Sequence, residues 1–527
     1  MHDTDPQPGA ARGRLLDRIE RLGNALPEPV TLFALGTVVV LLVSWLAASQ
    51  GWRSVLTGAD GAPVLDEVAR DLASADGVRW LATNLVSIFV GFRPLGLVLT
   101  IVLGIAVAER AGLIATALKA TLLVVPAWLL TPATFFAGVM SSLAADAGFV
   151  VLPPLAAAVY RAAGRAPLAG IATVFAGIAS GFNANLLVTG LDPLLAGMTE
   201  EAAHILDPSY VVNPACNWWF MIASTFLVTA VGWAVSAQIV EPRLALRAPE
   251  EGGPDPLHRG DGAPVRLTAA ERAGLGWAAL ALVGALAFLG VNAAFPWGFL
   301  YDAPPAAGAA PSSPTWVTVL VPMLVFLFFV PGIAYGMRAG TVRSDRDVTR
   351  MMGESMSLMS SYIVLAFFAS IFVAVFQQSN LGRMLAIEGG LALRAIALPT
   401  WGLILGFVLV SALINMFIGS ASAKWAMLST VFVPTFMTVG ISPELTQASY
   451  RVGDSITNCV APLNPYMVVL IVFVQQQAKR AGLGTMVAMM APYAVALGIA
   501  WSILLVLWVV LGWPLGLNGP LEYLPLR

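Results

Sequence analysis

With 527 residues, 58% of them hydrophobic and only 11% charged, the chain departs from soluble proteins, where about a quarter of residues are charged, and reads as a polytopic helical membrane protein. A formal net charge of −2 offers no basic footprint and excludes nucleic acid as a partner. Two cysteines in apolar runs, Cys216 and Cys459, exclude a disulfide framework, and histidines only at His2, His204 and His258, all outside the apolar runs, exclude an intramembrane histidine metal or nucleophile site.

The first apolar run, 30–49, is long enough to span and lacks the short core of a cleaved signal, so it is predicted to be a transmembrane helix. Arg12, Arg14, Arg18 and Arg21 place residues 1–29 in the cytoplasm. A polar loop, 51–78, follows outside, and 81–108 spans back. Residues 113–125 form a short helix near the surface, stopped by Pro126. In 126–160 two apolar arms, each too short to cross, flank Ser141, Ser142 and Asp146, the pattern of a re-entrant hairpin. After the cytoplasmic Arg161 and Arg165, 166–190 crosses outward as an interrupted helix carrying Asn183 and Asn185. The segment 191–213 has no Lys or Arg and is read as an outer loop, and 217–239 returns behind Trp218 and Trp219.

Residues 240–270, rich in Pro, Gly and Arg, are a cytoplasmic linker, and 271–352 hold two connecting spans, 274–294 and 316–330. The second half, 353–512, then replays the first half, 81–239. It has a span at 358–376, a surface helix at 384–396, a hairpin within 400–440 around 419–424, a span at 447–473 broken near 453–465, and a last span at 487–511. The tail, 513–527, is expected outside. The expected fold is all-α, with nine transmembrane helices plus two opposed re-entrant hairpins. Setting Gly181 on Gly453 also matches Val188 with Val460, Leu191 with Leu463 and Pro193 with Pro465, and pairs Asp192 with Asn464. Inverted repeats with helices broken at matching positions are the pattern of secondary transporters, whose site lies at the repeat interface.

Charged groups at bilayer depth cost about 2.5–3.5 kcal/mol and normally face a cavity or one another. The densest polar stretch, 419–465, reads either as half of a substrate and cation site or as a polar seam between helices. Its candidates are Gly419, Ser420, Ser422, Lys424, Trp425, Arg451, Asp454, Thr457, Asn458 and Pro462. At the tips, Ser141, Ser142, Ser420 and Ser422 either meet a ligand or bond back to their own backbone. Arg451 and Asp454, spaced i, i+3, share a helix face. They form a neutralising pair, or Arg451 offers its planar fork to a substrate carboxylate while Asp454 carries the cation or proton. Lys424 suits a carboxylate, and Trp425 suits either stacking on an aromatic ligand or anchoring at the interface. Should the coupling ion be Na⁺, Asp454 and Asn458 with Asn185 and Ser142 would supply hard oxygens. Asp192 is read as a loop-end carboxylate in water or a proton entry group, and Asp146, with apolar neighbours on both sides, as a coupling candidate.

The motifs LDRIERLGNALPEPVTLF at 16–33, SSLAADAGFVVLPPLAA at 141–157, GFNANLL at 181–187, VVNPACNWWF at 211–220, GSASAKWA at 419–426 and YRVGDSITNCVAPLNPY at 450–466 resemble the p-aminobenzoyl-glutamate transporter (AbgT) family of the ion-transporter superfamily. The resemblance covers nearly the whole chain. It implies a homodimer in a bacterial inner membrane, with the N-terminus cytoplasmic and the C-terminus periplasmic. It also implies cation-coupled movement of p-aminobenzoyl-glutamate or p-aminobenzoate, and in some members export of sulfonamides. Transport roles are implied for Asp192, Trp425, Pro443, Arg451, Asp454 and Pro462. Direction stays open: a dianion entering an inside-negative cell works against about 4.6 kcal/mol per 100 mV, so uptake needs at least two cations. The rivals are a citrate or dicarboxylate symporter of the same superfamily and an anion channel. An enzyme and an ATP-driven pump are not expected, because no phosphate-cradling loop and no catalytic metal motif is present. No cofactor is expected beyond a coupling ion.

Overall fold

The computed structural model describes residues 28–57, 63–144, 147–254, 266–302, 314–461, 464–479 and 481–524; the expectations for Asp146 and Pro462 fall outside them. The described chain is almost wholly helical. Seven helices are long and apolar enough to cross a membrane: Pro29–Ser49, Ala75–Arg110, Trp218–Ala245, Ala269–Ala294, Leu320–Ala339, Ser360–Gln378 and Gly484–Val510. They coincide with seven of the spans expected from hydropathy. The other two expected spans are interrupted: 166–190 holds Pro167–Ser180 and an unwound stretch, with a further helix, Leu191–Ala203, beyond its expected end, and 447–473 falls across Pro443–Asn458 and Pro465–Gln477.

Proline sets several of these starts. Pro167, Pro443 and Pro465 each begin a helix, where the missing amide costs nothing. Ser442 and Asn464 cap the latter two by accepting from Leu445 N at 3.0 Å and Tyr466 N at 3.0 Å. The span expected at 81–108 is longer and divided into Ala75–Val90 and Arg93–Arg110, with the turn at Gly91 and Phe92 just before Pro94.

Pairs of short helices stand at both positions expected for hairpins. The first joins Leu130–Met140 to Ala147–Ala162 through a 3₁₀ turn, Ser141–Ala144. The second joins Thr400–Asn415 to Ala421–Met437, and a helix at Leu381–Ile396 leads into it at an angle of 119°. In each half the first hairpin arm lies against the broken helix on a glycine. A Cβ on Gly181 would sit 2.6 Å from Val139 Cγ2, and one on Gly453 would sit 2.5 Å from the Val408 carbonyl oxygen. These are the two glycines that the repeat alignment pairs, and each does the same work in its own half.

The second arms cross over. Ala421–Met437 packs on Leu191–Ala203 of the first half, and Ala147–Ala162 packs on Pro465–Gln477 of the second, with Phe149 stacked on Tyr466 at 4.0 Å between ring centroids.

Two expectations for connecting segments are corrected. The segment 51–78 is not merely a loop, since Arg53–Thr57 and Pro63–Val68 form an antiparallel hairpin, held to the start of Leu381–Ile396 by Asn380 Nδ2 donating to Val68 O at 2.9 Å. The segment 191–213 is not an outer loop throughout either. Its first thirteen residues, Leu191–Ala203, are a largely buried helix. Its acidic residues suggested exposure, but Asp192 and Glu200 are neutralised inside the protein by Arg451 and Arg93. The tail is likewise tied down: Tyr523 N donates to Gly440 O at 2.9 Å, and Ser442 Oγ donates to Pro520 O at 2.6 Å.

Candidate functional site

The unwound stretch between Ser180 and Leu191 carries too many free backbone groups for hydrocarbon, and side chains satisfy several of them. Asn185 Oδ1 accepts from Leu187 N at 3.0 Å, and Asp192 Oδ2 accepts from Thr189 N at 2.6 Å and Thr189 Oγ1 at 2.9 Å. Trp218 Nε1 donates to Leu186 O at 2.9 Å. Asp192 thereby also sits in the first turn of Leu191–Ala203, where the helix dipole favours a negative charge.

From this stretch, contacts run to the opposite half. Asn183 Nδ2 donates to Asp454 Oδ2 at 2.9 Å and to Ser455 Oγ at 2.8 Å. Arg451 Nη2 lies 2.6 Å from Asp192 Oδ1, both side chains being 2% exposed. Lys424 Nζ lies 2.5 Å from Asp454 Oδ1, and both side chains are fully buried. The i, i+3 spacing of Arg451 and Asp454 therefore does not make them partners; each pairs with a residue from another element. Asp192, expected in water or as an entry group, is buried against Arg451. Isolated charges could not be held here, whereas paired ones can.

The second tip is organised by a residue that the sequence reading missed. Asn415, the last residue of the first arm, donates to Asp454 O at 2.7 Å, Thr457 Oγ1 at 2.9 Å and Asn458 Oδ1 at 2.9 Å, while its own Oδ1 accepts from Lys424 Nζ. Thr457 also donates to Ala412 O at 3.1 Å. Gly419 and Ser420 are exposed at the tip, with Ser420 capping Ala423 N and lying 3.3 Å from Ser422 Oγ. At the first tip, Ser141 and Ser142 bond back to Gly138 O and Val139 O, and Ser142 also accepts from Asn185 Nδ2 at 2.7 Å. Hence the four oxygens considered for Na⁺ divide into two sets, Asn185 with Ser142, and Asp454 with Asn458 through Asn415. Among the described residues no hydrogen bond joins the two sets, and the ammonium of Lys424 already meets Asp454.

Trp425 is not open to a ligand ring. It is fully buried, its indole stacks on Tyr450 at 4.6 Å, and Nε1 donates to Thr199 Oγ1 at 3.0 Å. The Tyr450 hydroxyl in turn lies 2.6 Å from Ala421 O and 3.2 Å from Asp454 Oδ1, with one proton to share between them. Thr199 and Gln447 were also missed. Thr199 Oγ1 donates to Gln447 Oε1 at 2.6 Å, and Gln447 Nε2 donates to Asn217 Oδ1 at 2.8 Å. No local pattern flags them, because each stands among other polar residues of its own helix. Pro443 begins the helix that carries Arg451 and Asp454 and is buried, away from the tips.

The arrangement is two hairpin tips and two broken helices, joined across the halves by the Arg451–Asp192 pair and the Asn183–Asp454 bond, with Lys424 on Asp454 within the second half. The family described as the AbgT putative transporter family matches this chain over residues 14–523. The chain belongs to the AbgT family. The p-aminobenzoyl-glutamate transport protein of Escherichia coli (strain K12) is 34% identical to it over 507 residues, covering 96% of each chain. The crystal structure of the Alcanivorax borkumensis YdaH transporter, described as having an unusual topology, is similar with a TM-score of 0.86 and 41% identity, over 93% of this chain and 100% of that one. The structure of Neisseria gonorrhoeae MtrF, described as illuminating a class of antimetabolite efflux pumps, is similar with a TM-score of 0.85 and 38% identity, over 96% and 99%. This AbgT protein is thus a multi-pass membrane transporter and not an enzyme.

Proposed function

We propose that this transporter moves p-aminobenzoyl-glutamate, p-aminobenzoate or related anionic aromatic compounds, sulfonamide antimetabolites among them, coupled to H⁺ or Na⁺. The observation that carries the reading is the state of Arg451. Its Nε and Nη2 have no hydrogen-bond partner among the described residues, although Nη2 stands beside Asp192. A buried guanidinium with unfilled donors is a receptor for a carboxylate, which gains a bidentate pair there as Asp192 yields. Asp454 is the coupling group, because its charge is answered only by Lys424 and by neutral donors that could equally serve a carboxylate exchanging its cation.

The substrate class is supported by the name of the Escherichia coli relative, and the export direction by the description of MtrF. The reading includes a homodimer in a bacterial inner membrane, with a cytoplasmic N-terminus and a periplasmic C-terminus. Transport in proteoliposomes with imposed Na⁺, H⁺ and voltage gradients, using labelled p-aminobenzoyl-glutamate and p-aminobenzoate, tests it. The expected result is gradient-driven flux that Arg451→Ala and Asp454→Ala each lower at least tenfold. Wild-type rates in both variants would overturn the site, and indifference to both compounds would overturn the substrate class.

A further inference from the structure

Four acidic residues among the described ones are at most 2% exposed: Asp192, Glu200, Glu444 and Asp454. Three have a cation, Arg451 for Asp192, Arg93 for Glu200 and Lys424 for Asp454. Glu444 has none. It stands in the first turn of Pro443–Asn458, seven residues before Arg451, and its carboxylate Oε2 accepts from Tyr210 Oη at 2.9 Å. The other titratable or charged groups around this end are Cys216, which Gln447 Nε2 approaches at 3.6 Å, Asp207 and Tyr523 beyond Tyr210, and Glu522, whose backbone bridges Ile441. None is basic. A buried carboxyl without a countercharge is held as the acid.

The way out is short. Tyr210 is only half-buried, and beyond it Tyr523 donates to Asp207 at 3.3 Å, beside the exposed Ser209. On the inner side, Asn217 Nδ2 donates to Glu444 O at 3.0 Å, and the bonds from Asn217 continue through Gln447 and Thr199 to Trp425 of the second hairpin. This end of the helix is therefore wired to the element expected to open and close over the substrate.

We infer that Glu444 is a proton-carrying carboxyl of the transport cycle, exchanging its proton with solvent on the Asp207 face through Tyr210. This deepens the proposed coupling and rests on that reading. The proton leaves the Glu444 carboxyl for water by way of the Tyr210 hydroxyl, leaving a carboxylate that the same hydroxyl holds, and returns by the same route.

Two readouts on full-length protein test it. In pH-difference infrared spectra of purified protein, wild type is expected to show a carboxylic acid band that titrates and that Glu444→Gln removes. In proteoliposomes, the stimulation of p-aminobenzoate flux by a pH gradient is expected to fall at least fivefold in Glu444→Gln and to recover in part in Glu444→Asp. An unchanged band or an unchanged stimulation in Glu444→Gln overturns the inference. If Glu444→Gln does not fold, Tyr210→Phe decides: the band is expected to respond to a pH jump at least fivefold more slowly, and an unchanged response overturns the inference. A wild type that moves neither test compound while its Glu444 band still titrates would sink the transport reading and leave the proton site standing.

Discussion

Asn183 Nδ2 and Asp454 Oδ2 meet at 2.9 Å, although 271 residues separate them. The contact binds the interruption of one broken helix to the carboxylate proposed as the coupling group on the other. Asn183→Ala removes that donor and one for Ser455, leaving Asp454 with Lys424 and Tyr450. A hydrogen bond to a charged group is worth about 1.5–3 kcal/mol. The expected outcome is a loss of that order in unfolding free energy, measured by denaturation of the purified protein, together with an altered cation dependence of transport.

The Arg451–Asp192 pair predicts non-additivity. Asp192→Asn strands a buried guanidinium, and breaking such a pair costs about 3–5 kcal/mol. Asp192→Asn with Arg451→Gln should be less destabilised than the sum of the two single variants by more than about 1 kcal/mol. A double-mutant cycle from thermal or denaturant unfolding checks it, and additive values would mean that the two side chains do not pair in the membrane.

Trp425 is expected to act through its indole N–H and its packing, with no contact to substrate. Trp425→Phe keeps a ring on Tyr450 but loses the bond to Thr199, at about 0.5–1.5 kcal/mol, and Thr199→Val should cost a similar amount. Trp425→Ala empties a buried volume and should cost about 3–5 kcal/mol. Equal affinity of wild type and Trp425→Phe for p-aminobenzoate, measured by calorimetry, fits this role, whereas a large loss in Trp425→Phe would restore the indole as a binding surface.

Gly453→Ala tests the seat of the second hairpin. Its methyl would meet the Val408 carbonyl oxygen at 2.5 Å and Ser411 Cβ at 2.6 Å, backbone and near-backbone atoms that cannot swing aside. Overpacking of this kind costs about 1–3 kcal/mol. Gly276→Ala, where a Cβ meets nothing within 4 Å, is the control and should be neutral or slightly stabilising in the same assay.

Outside the membrane, Arg53 holds Asp66 below its ordinary value through a side-chain hydrogen bond across the β-hairpin. A depressed carboxyl contributes stability above its unfolded value, about 3.9, and loses that contribution as pH falls through the lower folded value. Protection of the 53–68 hairpin amides from exchange should thus stay level down to about pH 4 and decline only below it. Asp66→Asn should lower protection at neutral pH and flatten the decline.

Much of the scaffold was legible because membranes tolerate so few exceptions. Apolar arms too short to cross read as paired short helices, and prolines with glycines inside apolar runs as breaks, and short helices and breaks stand at those places. What stayed hidden was partnership. Nothing local distinguishes Asp192 in water from Asp192 on Arg451, since the partner lies 259 residues away on another element. The i, i+3 rule paired Arg451 with Asp454 because sequence spacing sees one helix at a time. Asn415 was passed over because one amide at the end of an apolar arm looks like a cap, yet it holds three groups on the facing helix. The helix at 191–203 was misread because its acids, without nearby cations in sequence, imitate a solvated loop.

The exchange of second hairpin arms between the halves has a consequence for how the molecule comes into being. The Trp425 indole N–H finds its acceptors on residues translated more than two hundred positions earlier, and Phe149 must wait for Tyr466 to stack on its ring. A nascent first half leaving the ribosome consequently holds an unfinished clasp, and insertion of the later half completes both clasps together.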